Sequence, residues 1–206
     1  MLQLYYSPGS IAFAPHVTLA ELGVPYEAIR IDFGAEQQRS AQYMSINPKG
    51  RVPALVTDHG VLTETPAVLA YLAQTHPQAG LAMLDDPFAF ARVQSFNNYL
   101  CSTVHVAHAH GGRGHRWAEN QASMDDMKAK VTQTMTECFA LIESEMIEGP
   151  WVMGQTYTIC DPYLFAVGRW LEGDKVDRAQ FPKVEAQAVN MLARPAVQRA
   201  MEEHFG

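Results

Sequence analysis

The chain has 206 residues, 48% of them apolar, which is enough for one large or two small globular units with their own cores. Its 22 acidic against 15 basic residues give a formal charge of −7, which argues against the basic face or stripe that nucleic-acid binding needs. No apolar run approaches membrane-spanning length and the opening Leu2-Gln3-Leu4-Tyr5-Tyr6 lacks the regions of a signal peptide, so a cytoplasmic protein without a membrane partner is expected.

In chain order, Leu2 to Tyr6 reads as a strand, Ser7-Pro8-Gly9-Ser10 as a turn, and the run to Leu22 as a helix that stops at Gly23. Pro15 is compatible with that helix only in its first turn. Pro25 to Ile31 is a second strand, and strand-helix-strand implies a right-handed crossover and a parallel pair. Residues 35 to 46 form a polar, weakly helical connection. A Pro/Gly-rich loop, Asn47-Pro48-Lys49-Gly50-Arg51, then delivers Val52-Pro53 to a short apolar strand; Asp58-His59-Gly60 turns the chain, and Glu64-Thr65-Pro66 opens a helix to about Gln74. The order is βαβαββα.

That loop has the layout of a binding site. An X-Pro bond adopts cis cheaply, and a cis Val52-Pro53 turns the N–H and C=O of Val52 outward, free to pair with an extended peptide as an added strand. With Thr65 as N-cap and Pro66 as the first helical residue, the helix starts with free N–H groups suited to a carboxylate, and Glu64 beside them suits an ammonium. A peptide-like ligand with one amino-acid end fits this pattern.

Pro77 and the Gly80 to Pro87 stretch read as a linker, and from Phe88 onward only helical spacing appears. The expected division is an α/β domain over residues 1–77, a linker over 78–86 and an all-α domain over 87–206. One helix is expected from about Pro87 to Trp117, bent or interrupted at Gly111-Gly112, and another from Met124 to about Met146. Thr158-Ile159-Cys160-Asp161 is a capping box with Asp161 in place of the usual Glu or Gln, and Phe181-Pro182 and Arg194-Pro195 start two more helices. Cys101, Cys138 and Cys160 are far apart with no Cys-x-x-Cys, so neither a disulfide framework nor dithiol chemistry is indicated.

The pattern N-P-x-G-x-V-P, followed by Thr63-Glu64-Thr65 opening an apolar helix, resembles the thioredoxin-like half of the cytosolic glutathione transferases. The capping box and the Arg194-Pro195-Ala196-Val197 ending are also similar to that family, so the resemblance covers nearly the whole chain. It implies a thioredoxin-like N-terminal domain and an all-α C-terminal domain, a homodimer, and conjugation of the glutathione thiolate to an apolar electrophile with no further cofactor. Glutathione would be held by Arg51, Val52, Pro53, Glu64, Thr65 and Asn98. The thiolate needs a donor, because a thiol with a pKa of about 8.5 is only a few per cent ionised at neutral pH. Ser10 after Tyr5-Tyr6-Ser7-Pro8-Gly9 matches the serine of delta-class sequences; it equally suits the N-cap of the first helix, and Tyr6 is a second candidate donor.

Bacterial beta-class members place a cysteine where this chain has Ile11, so their mixed-disulfide behaviour is not implied. Asn98-Tyr99 and His105 match a beta-class spacing that brings His105 over the sulfur, able to titrate near neutrality and assist proton transfer. His105 and His108 share a helix face, without the third ligand a metal site requires, and no metal is expected. Phe13, His108, Trp117 and Tyr163 are candidate walls of the electrophile pocket, and Arg113 and Arg116 are either receivers of an acidic co-substrate, partners across a dimer seam or solvated charges. Two further readings stay open: a glutathione-fold binding or regulatory protein without transferase chemistry, and a glutathione-dependent disulfide or peroxide reductase.

Overall fold

A computed structural model describes all 206 residues. Four strands, β1 (Leu2–Tyr6), β2 (Tyr26–Arg30), β3 (Ala54–Thr57) and β4 (Gly60–Thr63), form one sheet in the order β2-β1-β3-β4. β1 runs parallel to β2 and antiparallel to β3, and β3 and β4 make the hairpin. With α1 (Phe13–Leu22), α2 (Ala41–Ile46) and α3 (Thr65–Thr75) this is the expected βαβαββα, thioredoxin-like arrangement. Pro15 falls in the first turn of α1, where its missing N–H costs nothing. The sheet is fixed by apolar packing: Leu4 and Leu55 meet Leu19 of α1 and Val68 and Leu72 of α3, all fully buried.

The remainder is helical: α4 (Pro87–Tyr99), α5 (His105–Arg113), α6 (Gln121–Leu141), α7 (Cys160–Gly168), α8 (Pro182–Leu192) and α9 (Pro195–Phe205). Every residue of α7 is buried, so this helix is the axle of the second half. The main apolar cluster joins Ile11, Phe13 and Val17 to Tyr163, Leu164 and Val167, and so runs across both halves. The expected linker is packed rather than loose: Leu81 and Ala82 are buried, and the carbonyl of Leu81 accepts the N–H of Ile159 at 2.8 Å. No helix is long and apolar enough to cross a membrane.

Two helix expectations need correction. The stretch from Pro87 breaks its regular winding at a π-helical turn, Leu100–Val104, stays helical through Gly111 and Gly112, and ends at Arg113 instead of Trp117. α6 begins at Gln121, three residues earlier than expected, because the Asn120 side chain accepts the N–H of Ser123 and caps it, and it passes into a second π-helical turn at Ile142–Met146.

α9 closes over α1 and buries a histidine pair: His16 Nδ1 lies 3.0 Å from His204 Nε2, with the Tyr6 ring 4.5 Å from the His204 ring. Glu203 Oε2 is 3.1 Å from His16 Nε2 but out of hydrogen-bond alignment. Burial pushes His16 down to about 4, and burial with His16 and Arg169 pushes His204 to about 3. Both rings are therefore neutral in the fold while the unfolded chain takes up protons below about pH 6.5. The pair adds nothing to the pH dependence above that value and removes stability as pH falls from there towards about 4. In urea unfolding between about pH 7.5 and about pH 5, His204→Leu should show a shallower acid loss than wild type, by up to about 1.4 kcal/mol per pH unit. Parallel curves would remove the pair from the account.

Candidate functional site

Between the sheet and the α5 side of the helical half lies a cavity of about 280 Å³. Its floor is the loop that leads to β3. Gly50 sits at φ 60, and a Cβ there would meet Arg39 Nη1 at 2.9 Å and the carbonyl of Gln38 at 3.0 Å, so both conformation and space demand glycine. Asn47, almost wholly buried, and Tyr43 both donate to the carbonyl of Arg51, each at 2.6 Å. Those two bonds pin the loop and present Val52 to the cavity. The Val52-Pro53 peptide bond is cis, and neither the N–H nor the C=O of Val52 is paired within the chain. An open backbone edge therefore lines the cavity.

The start of α3 forms the next wall. Thr65 is its first residue and not the expected N-cap; that position belongs to Glu64, held at φ 72, ψ 121. A non-glycine residue in such a region costs about 1–3 kcal/mol and is sustained by its surroundings. The strain aims the Glu64 carboxylate across the cavity mouth, where Lys49 Nζ holds it at 2.6 Å and Thr63 Oγ1 takes the same ammonium at 2.8 Å. Both partners of that ion pair are about half exposed, so it is weak and exchangeable for another cation. The N–H of Thr65 has no backbone acceptor and the residue lines the cavity.

Ser10 lies opposite, in the turn before α1. It does not cap that helix, whose N-cap is Ala12 with no side-chain bond; its hydroxyl donates to the carbonyl of Ser7 at 2.6 Å. The N–H groups of Ile11 and Ala12 donate to no backbone acceptor, and Ile11 lines the cavity beside Ser10. The indole of Trp170 donates to the carbonyl of Gly9 at 3.3 Å, so the helical half braces this turn.

Of the expected site residues, Ser10, Arg51, Val52, Pro53, Glu64, Thr65, His105, Trp117 and Tyr163 line this one cavity. Four do not. The Tyr6 hydroxyl donates to the carbonyl of Glu203 at 3.3 Å, pulled under α9 and away from the cavity. Phe13 is buried among Phe165, His204 and Phe205. Asn98 is exposed on α4. His108 stacks on Trp170 at 4.3 Å and is held by Asp174 at 2.8 Å, facing a different cleft. His105 touches the same indole from the cavity side at 4.9 Å. Burial, then Arg113, His108, Arg116 and Arg51, push His105 down to about 4, which corrects the expectation that it titrates near neutrality. It is a neutral base at pH 7.

Sequence reasoning missed Gln38, Arg39 and Cys101, which also line the cavity. Burial raises the Cys101 thiol above its ordinary pKa. The Tyr163 hydroxyl is buried without a hydrogen-bond partner, and burial lifts it well above the usual phenol range.

Fold and site together define a thioredoxin-like protein that carries no Cys-x-x-Cys and is completed by a helical second half. Residues 1–74 match the family described as "Glutathione S-transferase, N-terminal domain". A glutathione transferase homologue from Sulfitobacter, solved with bound glutathione, superimposes with a TM-score of 0.95 and 45% identity over 98% of each chain. A sphingomonad glutathione S-transferase complexed with glutathione gives a TM-score of 0.85 at 30% identity, again over 98% of each chain. The glutathione S-transferase GstA of Escherichia coli O157:H7 is 28% identical over 97% of both chains. This chain belongs to the glutathione S-transferase family.

Proposed function

We propose that this protein is a glutathione transferase that joins the glutathione thiolate to a small apolar electrophile. The observation that carries the reading is the unpaired Val52 edge, lying in one cavity with the start of α3 and with Ser10. Glutathione lies along that edge as an added strand. Its amino-acid end rests on Thr65 and Glu64, its other carboxylate on Arg51 and Arg39, and its sulfur at the Ser10 hydroxyl and the Ile11 N–H. Val106, Ala109, Trp117 and Tyr163 bound the space left for the electrophile. The sulfur–carbon bond forms as the leaving group departs; the thiol proton goes to solvent, because His105, pushed down to about 4, is too weak a base to hold it. Glutathione is co-substrate, and no separate cofactor enters the reaction.

The reading includes a cytoplasmic homodimer; Phe88, 75% exposed at the head of α4, is an apolar side chain for a second copy to cover. In its protein-thiol form the reductase alternative needs a nucleophilic cysteine, and burial works against one at Cys101. Calorimetry with glutathione, followed by conjugation of a neutral chlorodinitroaromatic, tests the proposal. Saturable binding with turnover is expected; binding without turnover moves the protein to the non-catalytic alternative, and absence of binding ends both.

A further inference from the structure

The cavity concentrates positive charge in a chain whose net charge is −7. Four guanidinium groups line it, those of Arg39, Arg51, Arg113 and Arg116, and the one carboxylate among them, Glu64, is already paired with Lys49. No acidic side chain forms an ion pair with any of the four. Glutathione supplies two carboxylates and a thiolate against one ammonium. In the placement above the ammonium takes Glu64, one carboxylate takes the start of α3, and the other takes Arg51 and Arg39, the latter seated over Gly50. Nothing in glutathione is then left for Arg113, at the end of α5, or for Arg116 in the turn that follows.

Arg113 is the more telling of the two, because it is partly buried, and burial together with Arg51 pushes its guanidinium below the ordinary arginine range. A desolvated cation beside like charges is costly unless an anion completes the set. Arg116 is pushed the same way by burial, Arg51, Arg113 and Arg39. The apolar wall of Val106, Ala109 and Trp117 stands next to this charge, so the vacant part of the site is amphipathic.

We propose that the electrophile itself is an anion, an apolar body bearing a carboxylate or a group of like charge, gripped by Arg113 and supported by Arg116. This rests on the transferase reading and narrows its second substrate. The reaction is unchanged: the sulfur–carbon bond forms, the leaving group departs with its electron pair, and the anionic group takes no part beyond orientation.

The test compares a chloronitrobenzoate with the matching chloronitrobenzamide, electrophiles of one shape and leaving group, with each kcat/KM divided by the compound's uncatalysed rate with glutathione because a carboxylate activates the ring less than a carboxamide. Wild type should favour the benzoate by about ten-fold or more in kcat/KM, as a charge-assisted bond to a partly buried arginine allows. In Arg113→Gln that ratio should fall close to one with glutathione affinity unaltered, and in Arg116→Gln it should fall less. Equal use of both compounds by wild type overturns the proposal. So does a parallel loss of both in Arg113→Gln, which would assign the arginine to the thiolate, a weakened affinity for glutathione, or a changed sedimentation mass, which would assign it to a subunit seam. If neither compound is conjugated, the two S-aryl glutathione adducts are titrated instead, and the transferase reading is left to the chlorodinitroaromatic. Ten-fold tighter binding of the carboxylate adduct then upholds the anion site and equal binding removes it.

Discussion

Ser10→Ala should lower kcat/KM for a neutral chloroaromatic by roughly 10- to 150-fold while leaving glutathione affinity nearly intact. The range follows from the about 1.5–3 kcal/mol that a hydrogen bond to a charged group contributes. In the free protein the Ser10 hydroxyl is already spent on the carbonyl of Ser7, so it must turn to serve a thiolate. That turn is inexpensive, because the same carbonyl also accepts the N–H of Ser10 at 3.1 Å and stays satisfied. A hydroxyl has one proton to give, and capping is not a competitor for it, since α1 has its N-cap two residues later. The sharper readout is the ultraviolet absorbance of bound thiolate against pH, where the apparent pKa should rise by about one to two units in the variant. Unchanged titration and turnover would transfer the task to the N–H of Ile11, which is unpaired at the same place.

What could be read in advance was local. Proline and glycine at positions 48, 50, 53 and 66 dictate a loop, a strand mouth and a helix start within twenty residues, and the glutathione half of the site is made from that stretch. What could not be read depends on contacts between distant segments. Tyr6 and Phe13 were sensible candidates from their position at the end of β1 and the start of α1, but α9, nearly two hundred residues later, folds over them and turns them into core. His105 and His108 do share a helix face, and the Trp170 ring from beyond the end of α7 lies against both, with only His105 reaching the cavity. The arginine wall comes from residues near 39, 51 and 115 in three separate segments, and no spacing within one segment announces it. Arg113 was open to several readings in the sequence because its partners, or their absence, are a property of the fold alone.

Asp161→Ala is expected to be the most destabilising single change. The Asp161 side chain is fully buried at the head of α7 and completes only half of the expected capping box: Oδ2 accepts the N–H of Thr158 at 2.8 Å, while the Thr158 hydroxyl receives the N–H of Cys160 at 3.3 Å. Being one methylene shorter than Glu, it also reaches sideways, so that Oδ1 takes the N–H of Val152 at 2.9 Å and Nε2 of Gln187 at 3.3 Å. One carboxyl thus ties the loop before α7, the helix itself and α8. Alanine would strand the buried N–H groups of Val152 and Thr158, at about 1–3 kcal/mol each, while Gln187 Nε2 keeps the backbone carbonyl of residue 161 at 3.1 Å; a loss of about 2–6 kcal/mol and a drop in Tm of about 5 °C or more should follow.

The pH dependence separates this account from a simple buried-anion bridge. Burial lifts Asp161 to about 6 despite those hydrogen bonds, whereas its unfolded value is near 3.9. Between these values the folded wild type holds a proton that the unfolded chain has released. Its stability relative to a variant without the group must therefore grow as pH falls from about 7 towards about 4. The histidines titrate in both proteins and cancel in the difference. Asp161→Ala should consequently cost more at about pH 5 than at about pH 7, as measured by urea unfolding at both. A gap that narrows on acidification would mean that the hydrogen bonds outweigh desolvation, and that Asp161 serves the fold as a stabilised anion.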